Sequence, residues 1–286
     1  VVLGAKKCLA PSTQCEILGL IVDSDRMLLS VPPKKSERFR ESCSTLLEKA
    51  SNGPVQTREV AVVLGRLVSI EPAMQHSTLL VRPLFEDLKV GLSEAYEEFR
   101  EMDLPELRNE EEARKNFDWL DAPMSLSKGS IAAVEYLIEH WVDLEGQSIE
   151  KPLATIIIRS DASDSGVGVR IFLRTEDRRL VLLDEFAAPL TMEEAAMSST
   201  ARESLAQLRG VEKLVSHFPS HAKGAVIESV CDNRGFVKRH AMGSKALDIS
   251  EILIDIVRAL RAAGARWGGA TWLPREMLQT EDALSR

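Results

Sequence analysis

Four acidic residues sit in contexts that suit metal chemistry: Asp161, Glu203, Asp232 and Asp282. Asp161 follows the apolar run Ile156–Ile158 in "IIIRSDASDSGVGV" (156–169), and Asp232 follows "AVIESVC" (225–231). Glu203 lies in "SSTARESLAQL" (198–208), ahead of Leu205 and Leu208, and Asp282 lies in "EDALSR". Carboxylates converging without basic partners repel one another and raise each other's pKa, so such a group calls for cations. An all-oxygen donor set suits Mg²⁺ or Mn²⁺. Two such ions about 3.5–4 Å apart activate a water and stabilise the leaving oxygen of a phosphodiester. The small residues Ala162, Ser163, Ser165, Gly166 and Gly168 are expected to leave room for a nucleic-acid backbone beside Asp161. Acids supply 44 of the 286 residues, so spacing alone fits four solvated surface charges equally well.

The elements that would position these acids follow from periodicity. Residues 153–159, 167–174 and 179–187 read as three strands, 193–217 as a long helix, and 225–231 as a fourth strand ending at Asp232. A helical pattern runs from about Gly235 through "DISEILIDIVRALRAAG", with Gly264 as its cap; "ARWGGATWLP" then makes a fifth strand and a short last helix carries Asp282. This is the pattern of a mixed α/β domain. If the first and fourth strands are parallel neighbours, Asp161 and Asp232 meet at their carboxyl ends, where ligand sites of α/β sheets lie.

The first half is built differently. "CEILGLIVDSDRMLLSVPP" reads as a β-hairpin turning at Asp23–Arg26. Helices are expected over 34–50, from Thr57 through "TREVAVVLGRLVSIEPAM", around 77–101 and over 126–144, with 145–148 as a linker. The charged stretch "EEFREMDLPELRNEEEARKNF" reads as a solvated helix or connector. We therefore expect one domain over 1–148 and another over 149–286.

Charge is unevenly placed. Residues 1–150 hold 17 Lys+Arg against 26 Asp+Glu, net −9, whereas residues 151–286 hold 19 against 18, net +1. A broad basic surface for nucleic acid is thereby excluded, though not a local basic strip or a metal bridge to phosphate. No apolar run is long enough to span a membrane and no signal segment opens the chain. Cys8, Cys15, Cys43 and Cys231 have no CxxC spacing and no histidine near the first three, which argues against zinc and for reduced thiols in the cytoplasm or nucleus. The opening VVLGAKKC, without methionine, reads as a fragment.

"SDASDSGVGV", "SSTARESLAQL", "VCDNRGFV" and "WLPREMLQTEDALSR", in this order, resemble the ribonuclease H domain of retroelement reverse transcriptases, with DIRS-type and gypsy-type elements the nearest in pattern. "CEILGLIVDSDRMLLSVPPKK" is similar to the end of the palm and start of the thumb in those enzymes, "TREVAVVLGRLVSI" to a thumb helix and "EYLIEHW" to the connection. The resemblance implies a mixed five-stranded sheet flanked by helices, preceded by a mostly helical region with a β-hairpin. It implies a metal-dependent endonuclease that hydrolyses the RNA strand of RNA–DNA hybrids. Asp161 would bridge two Mg²⁺ or Mn²⁺ ions, Glu203 and Asp232 would complete one site each, and Asp282 would be a looser fourth ligand. Ser163, Asn233, Lys238 and Arg239, with Lys245, would contact the hybrid; Asn233 also reads as a helix cap and the lysines and arginine as a solvated helix face. RNA would be told from DNA by its 2′-hydroxyl.

Two features depart from the family. No Asp-Asp dipeptide occurs, so no polymerase activity is expected of this chain alone, and the missing polymerase region becomes a candidate partner. No histidine precedes the fourth acid, the last being His240, and Leu278 stands where asparagine is common. His217, His221 and His240 read as surface or helix-end residues. Two other readings stay open: an inactive or domesticated module that binds nucleic acid or protein, and another nuclease or recombinase of the same fold.

Overall fold

A computed structural model describes residues 12–74, 76–101 and 121–286. The chain divides between Glu150 and Lys151 into two compact units. Most of the charged stretch 97–117, and Cys8, lie outside the described residues.

In the first unit, β1 (Gln14–Ile17), β2 (Leu20–Asp23) and β3 (Leu28–Ser30) form an antiparallel meander. The expected single hairpin is thus two. Leu18 and Gly19 form a two-residue turn, with φ of 51° and 75°, that folds the first apolar run back on itself. Residues 145–148 are not a free linker. Gln147 and Ser148 pair with Leu29 and Leu28, and Glu145 accepts hydrogen bonds from the Val31 amide and the Trp141 indole. Helices α1 (Pro33–Asn52), α2 (Thr57–Ile70), α3 (Arg82–Glu101) and α4 (Lys128–Glu139) pack with one another around buried Phe39, Leu46, Leu67, Leu84 and Leu137. Gln56 and Glu59 cap α2 reciprocally.

The second unit is a five-stranded sheet in the order β8–β7–β4–β5–β6, made of β4 (Ala154–Ala162), β5 (Gly166–Arg174), β6 (Leu180–Pro189), β7 (Ala225–Cys231) and β8 (Arg266–Trp272). Strands β8, β7 and β4 are parallel, and β5 and β6 add on antiparallel. The sequence pattern accounts for this. Ile156, Ile157 and Ile158 are all buried because the central strand is covered on both faces. Helix α5 (Ser199–His217) packs on β4 and β5, against α7 (Leu247–Ala262), on the face of Ile158 and Ser160. The opposite face carries α8 (Gln279–Leu284) and a small core of Ile157, Phe172, Val230 and Leu278.

Two boundaries and the burial of one histidine differ from expectation. The helix expected over 193–217 is broken at 196–198, where Ser198 caps α5 through the Ala201 amide. The helix after Asp232 is two, α6 (Arg234–Met242) and α7, separated at Gly243, whose φ is 72°. His240 lies in the last turn of α6, as expected of a helix-end residue, but it is buried, edge-on to Trp267 with ring centroids 4.3 Å apart. Among the described residues no helix is long and apolar enough to cross a membrane.

Candidate metal centre

Parallel pairing of β4 with β7 sets Arg159 beside Val230, so Asp161 and Asp232 emerge together at the carboxyl ends of the two strands. Glu203 reaches the same point from the second turn of α5, and its Oε1 accepts the Ala162 amide at 3.3 Å. One oxygen of each of Asp161, Glu203 and Asp232 lies within 4.8 Å of the other two. Asp161 and Glu203 are only 2% and 3% exposed, which decides the electrostatics. Burial raises the Glu203 carboxyl well above its ordinary range, and the charges of Asp161 and Asp232 raise it further. Burial likewise raises Asp161; a hydrogen bond from Ser285 opposes the shift and the Asp232 charge adds to it.

The donor set fits a divalent cation. It is all oxygen, and Glu203 Oε2 is buried with no hydrogen-bond partner, although buried polar atoms nearly always have one. A cation bridging the three carboxylates would supply that partner and offset their repulsion.

Asp282 is not brought into this cluster. Arg275 donates to it through Nε at 2.8 Å and through Nη2, and Arg286 grips it through Nε and Nη2 at 3.1 Å each. The hydrogen bonds from Arg286 and then Arg275 hold its carboxyl below the usual range.

Two of the five residues expected to contact substrate hold the local fold together. Ser163 Oγ accepts from the amides of Ser165 and Gly166 and lies against the Ser285 carbonyl, closing the β4–β5 turn. Asn233 caps α6, accepting from the Phe236 amide at 2.9 Å and donating to Ser199 Oγ at 3.1 Å. Lys238 and Lys245 are exposed and Arg239 is half-buried.

Two of the small residues beside Asp161, Gly166 and Gly168, do not clear space for a ligand. A Cβ on Gly168 would lie 2.1 Å from the Glu281 carbonyl oxygen and 2.7 Å from Leu284 Cβ, and one on Gly166 would lie 3.1 Å from the Ser285 carbonyl. The space they leave is filled by the chain's own last helix. Leu278, buried in the core beneath, anchors that helix by apolar contact.

Three residues around the centre escaped the sequence reading. Ser285 Oγ lies 2.8 Å from Asp161 Oδ2. Buried Gln207, one turn after Glu203, sends Nε2 to Ser160 Oγ at 2.7 Å and towards the carbonyls of Ile158 and Val230, bracing the two strands that deliver the aspartates. Its place four residues on from Glu203 was the available signal. Trp272 Nε1 donates to the Asp232 carbonyl at 2.7 Å beneath the Arg234 guanidinium, 4.4 Å from the ring centroid.

No protein-family model and no curated protein matches the chain. Solved structures do. The ribonuclease H1 of the halophilic archaeon Halobacterium salinarum shares 17% identity over 46% of this chain and 92% of its own, with a TM-score of 0.34. The LC11 ribonuclease H1, solved with an RNA/DNA hybrid, shares 18% over 45% and 92%, at 0.36. A foamy viral protease–reverse transcriptase bound to double-stranded DNA shares 11% over 94% of this chain and 47% of its own, at 0.34. The second unit has a ribonuclease H-like fold. That assignment rests on its mixed five-stranded sheet and flanking helices, not on these scores.

Proposed function

We propose that the second unit is a metal-dependent endonuclease that hydrolyses the RNA strand of RNA–DNA hybrids. The observation that carries this reading is the convergence of Asp161, Glu203 and Asp232 at the ends of adjacent parallel strands, with a buried Glu203 oxygen left unpartnered. Such a site is destabilised by its own charge until a cation enters, which is the arrangement expected of a metal centre.

Asp161, Glu203 and Asp232 would hold Mg²⁺ or Mn²⁺, two ions in the full site, with Asp282 as the fourth acid once it is free of its arginines. Bound there, the ions would lower the pKa of a water and neutralise charge on the scissile phosphate. The protein's own part is orientation. Ser285 fixes the Asp161 carboxylate, the Ala162 amide fixes Glu203, and Trp272 fixes the backbone of Asp232. Lys238 and Arg239 on α6 would hold phosphates of the hybrid, with Ser163 and Asn233 at its edge. The motifs "SSTARESLAQL" and "WLPREMLQTEDALSR" support a parent enzyme of the retroelement reverse-transcriptase class, DIRS-type or gypsy-type. Residues 1–148 would then be end-of-palm, thumb and connection, with the polymerase region as a partner.

One observation favours a second reading, an inactive module that binds nucleic acid or protein: Asp282 is engaged by two arginines. A substrate panel separates the two. With Mg²⁺ or Mn²⁺, an RNA–DNA hybrid should be cut in its RNA strand while duplex DNA stays intact; hybrid binding without metal-dependent cutting would establish the second reading.

A further inference from the structure

Strand β6 forms one edge of the five-stranded sheet and, among the described residues, has no strand on its outer side. Its first half is apolar and open on both faces: the consecutive residues Leu180, Val181 and Leu182 are 37%, 47% and 43% exposed. Edge strands of soluble proteins usually avoid this, because unpaired backbone groups beside apolar side chains invite another strand. Charges of opposite sign flank the run, in "RRLVLLDE" (178–185). A segment that reads basic, apolar, acidic is complementary to its own reverse, which is what an antiparallel partner presents.

The register sharpens the match. An antiparallel pair related by a two-fold axis sets residues of the same face opposite each other. With Val181 on the axis, Leu180 of one copy faces Leu182 of the other. Regular alternation would next set Arg179 against Leu183. Leu183 is an extra residue, however, since Leu182 pairs with Phe172 and Asp184 with Ile171. The bulge turns Asp184 to the face of α5, where Lys213 lies 3.7 Å away, and alternation places Val181 and Arg179 on that face too. Arg179 thereby meets Asp184 of the second copy, twice by symmetry. Their partners within the chain compete weakly: Arg179 bonds Asp177 at 2.6 Å on the open surface, and such exposed ion pairs contribute about 0–1 kcal/mol.

We propose that β6 pairs with β6 of a second copy of this chain, antiparallel about Val181, and continues the sheet from one copy into the next. Backbone hydrogen bonds and the three aliphatic side chains of each copy hold the pair, and the Arg179–Asp184 contacts fix its register. The interface is short, so association is weak and falls as salt is added.

The test is sedimentation equilibrium of the full chain from about 1 to 200 µM at low salt, the range that reads weak dimers. The average mass should rise towards that of a dimer, and the rise should shrink with KCl. Arg179→Asp sets acid against acid and Asp184→Arg sets base against base, so each variant alone should dimerise at least about tenfold more weakly. An equimolar mixture of the two restores opposite charges at both contacts and should regain wild-type association. Val181→Lys, at a half-exposed position, should be monomeric throughout, with circular dichroism establishing that each variant is folded. A wild type that stays monomeric would overturn the proposal and leave the edge to a strand of another protein. A dimer indifferent to Val181→Lys, or a mixture that associates no better than its components, would overturn it as well.

Discussion

Asp161 and Ser285 share a hydrogen bond of 2.8 Å across 124 positions of sequence, joining the central strand to the last helix at the carboxylate most central to the site. That contact exists because Gly168, paired with Asp161 across β4 and β5, has no side chain. The helix backbone occupies the place of a Cβ.

Gly168→Ala is therefore expected to push the last helix off the sheet. Overpacking against backbone costs about 1–3 kcal/mol, and the Asp161–Ser285 bond should be lost with it. Urea denaturation should show a lowered midpoint, and Mn²⁺ affinity should fall. Gly166→Ala, whose nearest atoms lie at 3.0 and 3.1 Å, should cost less on both measures.

Gln207 braces β4 against β7 from within the core. Replacing it with methionine keeps the volume and leaves Ser160 and two carbonyls without that donor. The expected loss is about 1–3 kcal/mol of stability, read by denaturation, together with weaker cation binding as the strand ends spread. An unchanged midpoint would mean that the brace contributes nothing.

The buried acids fix a pH dependence. The carboxyls of Asp161 and Glu203 are raised above their unfolded values, so the folded state holds their protons more tightly. Their contribution is fully present below about pH 4, the unfolded range, and is lost as pH rises through the folded values. Without metal, Glu203→Gln should accordingly melt higher than the wild type near neutral pH, and the gap should close towards acid pH. Saturating Mg²⁺ should reverse the order. Differential scanning calorimetry across pH, with and without the ion, reads both.

Much of the site could be read in advance because it depends on local pattern. The isoleucine run before Asp161 marks a strand covered on both faces, "AVIESVC" marks its parallel neighbour, and Leu205 and Leu208 place Glu203 near the buried side of its helix. What could not be read depends on contacts distant in the chain. Gly168 looks like space for a ligand until the last helix is seen to fill it. The bonds from Arg275 and Arg286 to Asp282, expected as a looser fourth ligand, are equally invisible in local pattern. Gln147 and Ser148 look like a linker because their strand partners lie more than a hundred residues earlier. The Leu18–Gly19 turn is hidden because leucine rarely adopts positive φ, and nothing in an apolar run announces it.

Asp161, Glu203 and Asp232 are proposed to form a cutting centre together. This proposal is tested most directly by incubating a hybrid labelled on its RNA strand with wild-type protein and with Asp232→Asn at increasing Mg²⁺. Asp232 is the partly exposed member of the three, so its replacement should leave the fold and hybrid binding intact. Mg²⁺-dependent RNA fragments are expected from the wild type, with a loss of at least about a hundredfold in rate for the variant, as for removal of a transition-state contact of about 3 kcal/mol. Equal cutting by both proteins, or none by the wild type at any Mg²⁺ concentration, would contradict it.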